Sequence, residues 1–298
     1  MLNPAFRKLK RGVVSILIRL QHEIHRRLLL HWDGFPFGKE PLATKTEYEN
    51  LAKIVQQQKY PEIDAFEQQV GFAIVPSWLH ELAFHTQVVI KKSPLCYAHG
   101  RVLYSALSAY LRDHPTKYPT DRLTIWETGT ARGFSAICMA KALKDQNRAG
   151  TIVTFDRLPH HKPIYWNCVD DCHGPKTRAQ LLAPWHSLME DFVIFHQGDT
   201  RLELLKVQTS RIHFAFLDGT HSYKDVMFEF NQIRDHQQPG DIIVFDDYTP
   251  QQFPGLVKAV NEICGRHQYR RTVLRAHTGR GYVVAKKYEV PRVESELS

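Results

Sequence analysis

The sequence has no apolar run near the roughly 20 residues that cross a bilayer as a helix. No small-residue cleavage site follows a clean apolar stretch, so a signal peptide is not expected either. Internal repeats and low-complexity segments are also missing. Cysteine is scarce: Cys96, Cys138, Cys168, Cys172 and Cys264 are odd in number and widely scattered. A chain of 298 residues is too large to need disulfide staples. Free thiols in a reducing cytoplasm are the expected state. Net positive charge is scarce outside one end. Residues 1–30 hold seven Lys and Arg against Glu23 alone, six of the eight net charges, and leave the body nearly neutral. With no recognisable binding motif in that body, nucleic-acid recognition is not expected.

What remains is the composition of an ordinary globular protein, 43% hydrophobic and 23% charged. In residues 1–30 the cations interrupt Val13, Val14, Ile16, Leu17, Ile18, Leu20, Ile24 and Leu28 to Leu30. Such a basic amphipathic helix can lie on the inner face of an anionic membrane, dock on a partner or pack on its own domain. Residues 1–115 read as a helical accessory or lid region, with helices expected over Glu47–Gln58, Pro76–Val89 and Val102–Leu111.

From Leu123 the pattern changes to short apolar strands alternating with helices. Strands are expected at Leu123–Trp126, Thr151–Phe155, Phe192–His196, Ile212–Leu217 and Ile242–Phe245. Helices are expected at Phe134–Leu143, Lys176–Leu188, Thr200–Leu205, Tyr223–Asp235 and Leu256–Cys264. Arg271–Ala276 and Gly281–Lys286 around HTGR read as a closing hairpin. The expected fold is α/β and Rossmann-like: a mostly parallel seven-stranded sheet with a C-terminal antiparallel hairpin over residues 116–288. Residues 289–298 form a polar tail.

Four strand ends carry acids or glycines, where open α/β sheets place ligands. In WETGTARGF, Glu127 closes a strand, and Gly129, Thr130 and Gly133 form a turn into a helix, exposing backbone N–H groups. The glycines fall as G-x-x-x-G, which is not the dinucleotide fingerprint. Asp156 ends the next strand and suits a ribose. Asp199 follows Gly198 at the third. Asp218 ends IHFAFLD, with His221 three residues on. After the next strand come Asp246 and Asp247; helix capping is the plainer explanation for one of that pair, less so for two beside Asp218. Three carboxylates from two strand ends suit a hard, oxygen-seeking cation, and an imidazole can take a proton near pH 7. The segment Arg157–Arg178 contains His160, His161, Cys168, Cys172 and His173, without the spacing of common zinc sites. It reads instead as a loop over the site, with Tyr165 and Trp166 placed to stack on a cofactor base or a sugar.

These motifs resemble the class I S-adenosylmethionine-dependent methyltransferases over roughly Leu123–Lys286. ETGTARG is similar to their first motif, Asp156 to their ribose acid and Asp199 to their residue near adenine. LDGTHSYKDV and PGDIIVFDDY resemble more particularly the metal-dependent O-methyltransferases of macrolide sugars and the related cephalosporin-hydroxylase-like proteins. The resemblance implies Mg²⁺ on Asp218, Asp246 and Asp247, and His221 as base, with Lys224 next in line. Cofactor contacts would come from Glu127, Gly129, Thr130, Gly133, Asp156, Asp199 and Asp218. It implies a small-molecule or glycan acceptor. A metal-dependent oxygenase, or a non-catalytic module in glycan assembly, stands as the alternative. Oligomeric state is not legible, which leaves room for a homo-oligomer.

Overall fold

The computed structural model describes residues 13–21, 37–38, 40–115, 121–276 and 279–289. The polar tail and most of the basic N-terminal stretch lie outside these. Residues 13–21 form a helix, α1. Next come α2 (Lys45–Gln56), α3 (Pro61–Val70), α4 (Pro76–Thr86) and α5 (His99–Asp113). Thr44 starts α2 through a capping box with Glu47, while α3 and α4 each begin on a proline, whose missing N–H costs nothing there. The short α3 is not anticipated by the sequence reading.

The remainder alternates as expected: β1 (Leu123–Thr128), α6 (Phe134–Asp145), β2 (Gly150–Asp156), α7 (Arg178–Leu181), α8 (His186–Phe192), β3 (Val193–Gln197), α9 (Thr200–Glu203), β4 (Phe214–Leu217), α10 (Tyr223–Ile233), β5 (Ile242–Phe245), α11 (Pro254–Arg266), β6 (Tyr269–Arg275) and β7 (Gly281–Lys287). The single helix expected over Lys176–Leu188 is broken. Pro184 cannot extend a helical ladder, and a 3-10 turn at Ala183–Trp185 separates α7 from α8.

The sheet has seven strands in the order β3-β2-β1-β4-β5-β7-β6. β1 to β5 are parallel, and β7 inserts antiparallel between β5 and β6. The chain leaves β3 at one edge and re-enters beside β1, so a topological switch point lies between the carboxyl ends of β1 and β4. Strand residues alternate between two cores. Ile125, Phe214, Phe216 and Val244 point to one, and Trp126, Ala215, Leu217 and Phe245 to the other. Tyr48, Leu79, Leu103 and Leu107 from the N-terminal helices share the first core with Ile137 of α6. Phe214 and Phe216 are fully buried, each such side chain stabilising by about 1.5–3 kcal/mol. All five cysteines are free thiols.

Candidate active site

β1 runs two residues past the expected strand, because Glu127 and Thr128 still pair with Thr154 and Phe155 of β2 and with Phe216 and Leu217 of β4. Glu127 is therefore inside the sheet and fully buried, not in the loop. One of its oxygens accepts from the Thr154 hydroxyl, which also meets Thr130, and the other has no partner. Burial pushes its carboxyl up to about 7, with the nearby Ser135 and Thr154 hydroxyls opposing the rise. Thr130 is equally buried. Both side chains brace the turn from beneath.

The turn itself needs Gly129. Its φ is +88°, and a Cβ there would stand 2.3 Å from the carbonyl oxygen of Asp218. Only glycine allows β1 and β4 to release their loops so close together. Gly133, also at positive φ, then opens α6.

Beside this turn is a cavity of about 360 Å³. Its wall includes Gly129, Asp156 and Asp199, three of the residues singled out for cofactor binding, together with Gly219, Arg201, Asp225 and Glu229. Asp156 accepts from the Ala131 N–H with one oxygen and from the Leu158 N–H at 2.6 Å with the other. Burial raises its carboxyl, while the Arg178 charge and these backbone donors oppose that. Asp199 caps α9 by accepting from the Arg201 N–H at 3.0 Å.

Glu229 is a further acid in this wall that the strand-end search missed. It is buried and accepts from the Thr128 hydroxyl at 3.0 Å. The signal was present in the sequence, since Glu229 sits in the otherwise apolar stripe Val226, Phe230, Ile233 of α10. Burial pushes its carboxyl from 4.5 up to about 8. An acid raised in the folded state favours folding while protonated, and that contribution is lost as pH rises through the folded value. Glu229→Gln is therefore expected to raise the melting temperature by about 2–4 °C or more near pH 8. Below about pH 4.5, where both states are protonated, the gain should vanish. Thermal scans at the two pH values decide it.

Across the switch point, Asp218, His221 and Asp247 bring one ligand atom each to within 4.8 Å of one another. They are the one such metal-capable group among the described residues. Asp247 has a φ of +53°, a conformation that aspartate tolerates better than most residues and that turns its carboxylate into the cluster. Its Oδ2 lies 2.8 Å from His221 Nε2, and its Oδ1 lies 3.1 Å from Arg280 Nε. Burial pushes the Asp247 carboxyl up, but His221 and the Arg280 charge outweigh it and hold it below the ordinary range. The His221 ring stacks on Phe253 at 4.2 Å.

Asp246 stands apart from that group. It is fully buried and gripped by both arms of Arg280, with Nε to Oδ1 at 2.9 Å. The structure thus places His221 where the third carboxylate was expected, and turns Asp246 to an arginine brought in by the β6–β7 hairpin. Asp218 has no hydrogen bond to its carboxylate among the described residues. Burial, then repulsion from Asp246, pushes it well above the ordinary range. Three acids face mainly one guanidinium, and that excess of negative charge is what a divalent cation neutralises. Two carboxylates beside an imidazole are a donor set that suits a divalent cation.

Residues 126–248 match the family model described as a methyltransferase domain. This stretch, under half of the chain, is similar to that family. No sequence relative matches among curated proteins. Among solved structures, cofactor-bound Rv0187 from MTB aligns at 16% identity, covering 78% of this chain and 100% of that one, with a TM-score of 0.51. The O-methyltransferase TomG from Streptomyces achromogenes aligns at 18% identity over 73% of this chain and 92% of its own, with a TM-score of 0.49.

The segment after β2 differs from its expected role. Trp166 does not face a ligand. It is fully buried with Leu158, Ile164, Cys168 and Leu181, and its indole N–H donates to the Lys176 carbonyl at 2.7 Å. Tyr165 is half-buried and bridges to Gly38 through the backbone. Arg178, buried under Trp166 and Phe195, donates from Nε to the Ala131 carbonyl at 2.9 Å. The segment has a small core of its own that clamps the methyltransferase loop from outside. Zinc ligation finds no support there, because Cys168 is in that core and Cys172 is exposed.

Proposed function

We propose that this chain is an O-methyltransferase that uses S-adenosylmethionine and a divalent cation, Mg²⁺ by resemblance, to methylate a hydroxyl of a sugar, glycoside or related small molecule. One observation carries the reading: Asp218, His221 and Asp247 converge beside the cavity that Gly129, Asp156 and Asp199 line. In this reading Asp156 accepts from the ribose hydroxyls and Asp199 faces the adenine. The backbone at Gly129 admits the cofactor close to β1. S-adenosylmethionine supplies a methyl group on a sulfonium. A divalent cation on Asp218 and Asp247 would make a bound hydroxyl more acidic.

His221 then has a defined task. Asp247 holds its Nε2 edge, and Phe253 holds its plane, so the imidazole is oriented before substrate arrives. It takes the hydroxyl proton as the oxygen attacks the methyl carbon in line. Burial raises the Asp246 carboxyl, Arg280 opposes that with its charge, and the same guanidinium fixes the Asp247 carboxylate from its other side. Preorganised charge of this kind lowers the barrier without rearrangement during the reaction. The sugar-like acceptor rests on the resemblance of LDGTHSYKDV and PGDIIVFDDY to the macrolide-sugar enzymes.

Removal of the cation tests the mechanism. With a glycoside acceptor, chelation is expected to stop formation of S-adenosylhomocysteine while leaving S-adenosylmethionine affinity by calorimetry intact, and added Mg²⁺ should restore turnover. Full turnover in chelator would remove the cation from the reaction.

A further inference from the structure

We propose that α1 is an interfacial anchor that lays the protein on an anionic lipid surface. Val13, Val14, Ile16, Leu17, Ile18 and Leu20 are between 45 and 59% exposed. Ser15 and Arg19, four apart, share one side of the helix, and Gln21 ends it beside Leu17 and Ile18; the other six positions are aliphatic. Six large aliphatic side chains on nine consecutive residues make a contiguous patch of the kind that marks an interaction surface.

Charge selects the occupant. Residues 1–30 carry seven cations against one acid, while the rest of the chain is nearly neutral. A second copy of the chain would bring a second such set of cations, Arg19 of α1 and six that flank it in sequence, and repulsion opposes that pairing. A nucleic acid would take the cations and leave the aliphatic face in water. An anionic bilayer satisfies both, with aliphatic side chains among the acyl chains and Lys and Arg at the headgroups. No helix among the described residues is long and apolar enough to cross a membrane, so this contact lies on the surface. The inference does not depend on the catalytic reading.

Sedimentation of the whole chain with lipid vesicles tests it. Vesicles of phosphatidylcholine with phosphatidylglycerol are expected to carry down at least about tenfold more protein than phosphatidylcholine alone, and high salt should weaken the binding. Leu17→Glu and Arg19→Glu alter only exposed side chains. Leu17→Glu should reduce vesicle binding at least about tenfold, Arg19→Glu less, with unchanged melting temperature and S-adenosylmethionine affinity. No binding to the anionic vesicles, equal binding to neutral ones, or binding unaffected by Leu17→Glu would each overturn the proposal. A concentration-dependent dimer that Leu17→Glu dissolves, without vesicle binding, assigns the face to a second copy instead.

Discussion

Replacing Asp156 by alanine is expected to weaken S-adenosylmethionine binding about a hundredfold. A carboxylate that accepts from two ribose hydroxyls makes two charge-assisted hydrogen bonds, each contributing about 1.5–3 kcal/mol. Taking the lower value for each gives about 3 kcal/mol, which is about two powers of ten in affinity. Asp156 also receives the Ala131 and Leu158 N–H groups, so the alanine variant loosens the turn that carries the cofactor. Asp156→Asn is the milder variant: it keeps one of the two acceptors for the loop, turns an amide NH2 toward the other N–H and loses the charge, and a loss of at least about tenfold is expected for it. Calorimetric titration of both variants decides the matter: unchanged affinity in Asp156→Ala would take this residue out of the cofactor site.

The second large effect is expected at His221. A positioned general base contributes roughly 10²–10⁴ in rate, so His221→Ala should lower kcat by about a thousandfold. The side chain is partly exposed and its neighbours are Asp247 and Phe253, so its removal leaves no buried charge without a partner, because Arg280 still faces Asp247. Affinity for S-adenosylmethionine should therefore hold. Cation affinity, measured separately by titration, distinguishes the base from a ligand. If it stays within a few-fold, the imidazole moves the proton; a large loss would make His221 the third ligand of the cluster. Persistent turnover would pass the role of base to another group, with Lys224 the first to test.

Much of this architecture was legible before any coordinates. The strand–helix rhythm from Leu123 onward, the parallel sheet and the closing antiparallel pair follow from apolar periodicity, which is a local property. Departures have identifiable causes, one local and one tertiary. Pro184 splits one helix, and β1 extends to Thr128 because β2 and β4 offer pairing partners on both sides. Gly129, Asp156 and Asp199 were found as strand-end residues, and they share one cavity wall because parallel strands release their loops at the same edge. Glu229 is not among them because it stands inside α10, where a single acid in an amphipathic pattern reads as solvent-facing.

Sequence alone tells where the acids stand along the chain, which of them end strands, and that most of the net positive charge lies in the first 30 residues. Only the tertiary structure decided what each acid faces. Asp246 and Asp247 are neighbours in sequence, yet one is clamped by Arg280 and the other turns at positive φ to His221. Trp166, expected over a ligand, is sealed in a core with Leu181. Periodicity fixes the face a residue belongs to, because it depends on the few residues around it. The partner of a buried charge depends on segments far away in the chain, and these meet only after the sheet has closed.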